Sequence, residues 1–169
     1  MCKFYSAIVL KNGDLLHNEN LTSHEDIIRL FNINDNQISC ENHVKVEFAP
    51  NDITDSADIE KYKLNVDEES APEWFEKHRE YVTSQLKEIV SKRIITSDQK
   101  LLTGGLYVVK NCKIDRILCA QIVYMQASTV NAMGGNSTVN EMGENSTVNA
   151  MWENSTVKLN SSKNNLPVK

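Results

Sequence analysis

The side chains able to do chemistry in this sequence are few and widely spread. Cysteines stand at Cys2, Cys40, Cys112 and Cys119, and histidines at His17, His24, His43 and His78. A structural zinc site draws its ligands from closely spaced pairs, and neither a C-x-x-C nor a spaced histidine pair is present, so no metal or cofactor is expected. A reducing compartment leaves such cysteines as thiols. The densest carboxylates lie in "NVDEESAPEWFE", with Asp67, Glu68, Glu69 and Glu73. Paired carboxylates can do acid/base work, but these acids equally suit capping and solvation of the helix that follows. Asp67, Glu68 and Glu69 are therefore read as candidate contacts to a partner protein. Gly104-Gly105 lacks the lysine and helix of a phosphate loop and reads as a turn. With no nucleophile elbow and no H-E-x-x-H, the chain is not expected to be an enzyme.

Charge narrows the partner. Residues 1–100 carry 12 Lys/Arg against 19 Asp/Glu, and residues 101–169 carry 6 against 4. No basic patch is present to neutralise phosphates, so direct nucleic-acid binding is not expected. An acidic front suits a larger protein with a basic surface, such as a nuclease that handles nucleic acid. The opening "MCKFYSAIVLKNGD" has a single basic residue, Lys3, ahead of a broken apolar run, unlike a secretory leader. No stretch approaches the roughly 20 apolar residues of a membrane span. The expectation is a cytoplasmic protein without membrane contact.

These residues must be positioned by elements with legible signals. "KFYSAIVL", then Lys11-Asn12-Gly13-Asp14, then Leu15-Leu16, reads as a hairpin whose Asn-Gly supplies a primed turn. Ser23 before His24, Glu25 and Asp26 caps a helix of about residues 24–32. "HVKVEFAP" places Val44, Val46 and Phe48 on one face of a strand, and "KYKLNVD" does the same with Tyr62, Leu64 and Val66. The strongest helical pattern is "APEWFEKHREYVTSQLKEIVSKRI", with Ser70 as cap, Pro72 in the first turn, and Phe75, His78, Val82, Leu86, Ile89 and Val90 as one stripe. His78 reads as a packed residue of that stripe.

The second half is a repeat. "GGNSTVNEMGENSTVNAMWENSTV" aligns on Val130, Val139, Val148 and Val157 with a period of nine. A looser rule asks for a small residue, a β-branched residue two further on, and an aliphatic residue or Met three beyond that. It admits "CKIDRI" and "AQIVYM" upstream. The small column is Cys112, Ala120, Ser128, Ser137, Ser146 and Ser155. The β-branched column is Ile114, Ile122, Val130, Val139, Val148 and Val157, and the third is Ile117, Met125, Met133, Met142, Met151 and Asn160. Six extended segments joined by linkers of two or three residues, the last three carrying Gly or Asn, imply strands stacked about 4.8 Å apart. With two segments to a coil of about 17 or 18 residues, the repeat predicts a β-solenoid of about three coils, with Thr129, Thr138, Thr147 and Thr156 as an outward ladder. A disordered chain has no reason to hold an aliphatic column in register.

The predicted architecture is α+β. An acidic α/β domain, an antiparallel sheet with one long helix, occupies residues 1–100. A connector spans 101–111, a short solenoid 112–160 and a polar tail 161–169. Asn136, Asn145 and Asn154 open formal glycosylation triplets, which need a secretory route. A calcium-binding nonapeptide needs aspartates that the linkers lack. Trp152 takes a position held by Gly134 and Gly143 in earlier copies, and reads either as a contact anchor or as a lid on the stack.

The phrase "GENSTVNAMWENSTVK", behind a front that opens "MCKFYSAIVLKNGD", resembles small repeat-bearing proteins of phages and prophages in gut bacteria. The repeat covers about a third of the chain. That resemblance implies a β-solenoid tail and a protein that binds and blocks host defence machinery, an anti-CRISPR inhibitor being one concrete form. It carries over no site residues. The alternatives are a structural module that oligomerises through its solenoid edges, and a front domain that binds a small molecule between its sheet and the helix of residues 72–94.

Overall fold

The computed structural model describes residues 5–34, 42–68 and 70–160. The chain divides into two compact units, one of residues 1–51 and 59–91, the other of residues 52–58 and 92–169.

In the front unit, β1 (Tyr5–Leu10), β2 (Leu15–Leu16), β3 (His43–Pro50) and β4 (Tyr62–Val66) form an antiparallel sheet in the order β2-β1-β3-β4. The register Tyr5↔Phe48, Ala7↔Val46, Val9↔Val44 puts six buried side chains on one face. On the other face Ile8 clusters with Ile27 and Ile28 of helix α1 (His24–Leu30). Both faces of β1 are thus buried, which is why Ala7 to Leu10 are apolar without alternation, and Ser6, buried too, donates its hydroxyl to Thr22 O. Ser23 caps α1 as predicted, its hydroxyl accepting from the Asp26 N–H.

Two local expectations give way to the structure. The Asn12-Gly13 turn is not a two-residue primed turn: Gly13 N–H donates to Leu10 O at 2.8 Å, and Leu10 N–H donates to Asp14 O. Three residues therefore form the loop, and only Gly13, at φ +90°, is left-handed. Asn12 accepts from the Asp14 N–H through its side-chain oxygen. The long helix is in two pieces, α2 (Glu73–Glu76) and α3 (Arg79–Ser91), and it starts after Pro72 without a side-chain cap, so Ser70 does not serve. His78 N–H reaches back only three residues, to Phe75 O, and Val82 N–H restarts the helical ladder on His78 O. Phe75, Val82, Leu86 and Val90 remain fully buried across the break.

The second unit is a β-solenoid of about four turns. Successive strands alternate between two parallel sheets, except that β10 and β11 follow one another in the same sheet. One sheet holds β5 (Ile94–Ile95), β7 (Leu106–Lys110), β9 (Gln121–Gln126), β12 (Thr138–Met142) and β14 (Thr156–Asn160). The other holds β6 (Gln99–Thr103), β8 (Lys113–Leu118), β10 (Thr129–Val130), β11 (Met133–Gly134) and β13 (Thr147–Val148). The predicted columns are real: Ile114 lies beside Val130 and Val130 beside Val148, while Ile122 lies beside Val139 and Val139 beside Val157. The stack begins upstream of Cys112. Gln99 and Leu102 pair with Ile114 and Ile117, and Tyr107 and Val109 with Ile122 and Met125, so residues 101–111 carry strands of the stack and act as more than a connector.

Each segment from small residue to third column has the same length, so the change from an eight- to a nine-residue period falls in the linkers. Left-handed residues mark these corners: Asn111, Cys119, Ala127, Gly135, Asn145 and Glu153 all have φ between +47° and +64°. The corner serines replace backbone ladder bonds. Ser128 Oγ accepts from Cys112 N–H and donates to Gln126 O, and Ser137 Oγ accepts from Ala120 N–H and donates to Gly134 O. A small side chain with a hydroxyl is what a buried corner requires, because each amide the corner pulls off the ladder still needs a partner.

Candidate interaction surfaces

Alternation between two sheets divides the threonines. Thr129 lies beside Thr147 on one sheet and Thr138 beside Thr156 on the other, so the four form two short rows and not a single ladder. The Thr138 and Thr156 hydroxyls are 3.3 Å apart. Two amide rows accompany them. Asn149 Nδ2 donates to Asn131 Oδ1 and Asn131 Nδ2 to Asp115 Oδ1, each at 3.1 Å, and Asn154 Nδ2 donates to Asn136 Oδ1 at 3.3 Å. Side chains held by their copies one coil away are ordered before any partner arrives, which lowers the entropic cost of contact.

Trp152 sits in register with the outer position held one coil earlier by Gly134. A Cβ at Gly134 would run into the indole. The ring lies over that glycine and still leaves 39% of its surface exposed. This is the physical reason for glycine one coil earlier, at Gly134; Gly143 instead makes room for the Tyr124 hydroxyl.

In the front unit the acidic group is split by environment. Asp67 is exposed, and its Oδ2 lies 3.3 Å from Nδ1 of the buried His24, whose Nε2 donates to Val46 O at 2.9 Å. His24 thus ties α1 to the sheet, a role its place in the sequence did not reveal. Glu68 turns inward: Lys45 N–H donates to Oε1 at 3.1 Å, Oε2 is buried without a partner among the described residues, and burial pushes the carboxyl above its ordinary range. Glu69 lies outside the described residues. Beside this group an open cleft of about 250 Å³ is lined by Glu47, Asn51, Asn65, Val66 and Asp67. It lies on β3 and β4 and not along α3, whose inward stripe is packed. His78 is packed too, with its ring against Gly13 and 6.5 Å from Trp74.

Cys112 is buried and Cys119 exposed, and burial raises the Cys112 thiol. Among the described residues no three His, Cys, Asp or Glu side chains converge as a metal site. No helix among them is long and apolar enough to cross a membrane. No protein family, curated protein or solved structure matches the chain.

Proposed function

We propose that this chain is a protein-binding module that acts by contact, with a rigid four-turn solenoid displaying its outer rows to a partner. The observation that carries this reading is the pair of flat faces bearing Thr129/Thr147 with Asn131/Asn149, and Thr138/Thr156, over an interior filled by its own columns. A side-chain-filled stack offers extended surface and not an enclosed site, and extended surface is what repeat proteins use for macromolecular contact. The structural reading, a module that assembles through its strands, draws on the same solenoid.

The finer reading is that the partner is a basic host-defence protein, such as a nuclease, which the module blocks. It is supported by the resemblance of the repeat to phage proteins and by the acidic balance of the front half. The experiment is capture from a bacterial lysate with the intact chain, the double variant T129R/T147R and the double variant T138R/T156R. A prey retained by the intact chain and lost by one double variant supports the module and names the face. The same preys on all three baits refute it.

A further inference from the structure

β4 is one of the two outer strands of the front sheet, with β3 on one side. The 2.9 Å bond from Asp67 N–H to Lys45 O fixes how its backbone faces. Lys63, Asn65 and Asp67 turn N–H and C=O toward β3, and by alternation Leu64 and Val66 turn theirs to the open side. Among the described residues nothing pairs with Leu64 or Val66 there, and their side chains are only half-buried, while Lys63, Asn65 and Asp67 are exposed.

We propose that this edge is where two copies of the chain meet, β4 pairing antiparallel with β4 of a second copy about a two-fold axis at Asn65. In that register Leu64 lies opposite Val66 of the second copy, and each pair exchanges two backbone bonds. Asn65 meets its own copy in a non-hydrogen-bonded pair, where side chains approach most closely. Lys63 falls opposite Asp67 of the second copy, and two-fold symmetry makes this opposite-charge pair twice. The charge pattern also disfavours registers shifted toward Lys63. Moving the two-fold axis to Leu64 puts Lys63 opposite Asn65, and moving it to Lys63 puts Lys63 opposite itself. Parallel pairing in register would stack Lys63 on Lys63 and Asp67 on Asp67. Lysine on an edge strand ordinarily keeps chains apart; here the strand "KYKLNVD" carries the carboxylate that answers it.

So short a strand pair buries less than a standard interface, so the dimer is weak, with a dissociation constant on the order of 100 µM. Sedimentation of the full chain across that range is the measurement. The wild type is expected to shift from monomer to dimer, and Lys63→Asp, which sets carboxylate against carboxylate twice, to weaken the dimer about tenfold. Because Lys63 is exposed, its variant should melt at the wild-type temperature, which separates loss of assembly from loss of fold. Asn65→Cys under mild oxidation should join two chains through the introduced thiols, identified by peptide mass, whereas Lys63→Cys should not. A wild type that stays monomeric at the highest concentration, a dimer indifferent to Lys63→Asp, or equal cross-linking by both cysteine variants each overturns the proposal. A dimer lost instead in Thr156→Arg overturns it in favour of the solenoid edge.

Discussion

Replacing single methionines of the third column with alanine should give a loss of stability that depends on height in the stack. Met125, Met133 and Met142 are fully buried in one cluster, whereas Met151, at the same point of the repeat, is only partly buried. Methionine to alanine removes three groups beyond Cβ, worth about 2.4 kcal/mol at about 0.8 kcal/mol per methylene equivalent. Walls fixed by parallel ladders relax little, and a residual cavity on the order of 50 Å³ adds about 1.2 kcal/mol. The expected loss at Met125 or Met142 is therefore about 3–4 kcal/mol, and at Met151, where the site opens to solvent, about 1 kcal/mol. The chain carries one tryptophan in each unit, Trp74 and Trp152. Urea unfolding followed by Trp152 fluorescence in a Trp74→Phe background therefore reads the solenoid alone. Equal losses at Met142 and Met151, or a loss at Met125 below about 1 kcal/mol, would refute the stacked-column argument.

Ala127 holds a left-handed corner at φ +47°, so Ala127→Gly should stabilise the solenoid by about 0.5–1 kcal/mol, read from the same urea midpoint. Glu68 has its carboxyl raised by burial, so the folded front unit binds the proton more tightly than the unfolded chain does. Its contribution is thus fully present below the unfolded value and lost as pH rises through the folded one. Glu68→Gln, which keeps an acceptor for Lys45 N–H, should raise the melting temperature at neutral pH and leave it unchanged in acid. Alkylation of the native protein should label Cys119 and spare Cys112, whose thiol is buried and raised; peptide mapping that finds Cys112 modified as fast as Cys119 would contradict this.

How much was legible varied with the range of the cause. The columns from Cys112 onward could be read from spacing, because every copy solves the same packing problem with the same residue types. The earlier copies escaped that reading. Gln99 and Tyr107 occupy the β-branched column there, and Tyr107 does so because Arg93 lies over its ring and donates to its hydroxyl, an arrangement particular to that part of the stack. The candidate contacts fared likewise. The outward direction of the threonines follows from alternation, but their division into two rows follows from which sheet each coil half joins. Trp152 was marked by its departure from the repeat, and only its seat over Gly134 explains the glycine.

By itself the sequence determined periodicity: where strands recur, which side chains face inward, that Ser23 caps a helix, and that the front is acidic. Each of these depends on residues within a few positions of one another. The tertiary structure decided what depends on distant partners. It drew residues 52–58 into the second unit and broke the long helix at Lys77–His78. It also set His24 between Val46 and Asp67, and left one edge of β4 unpaired among the described residues. Local propensity cannot report a bond across some forty residues, because nothing in the spacing of either partner changes when the other is removed.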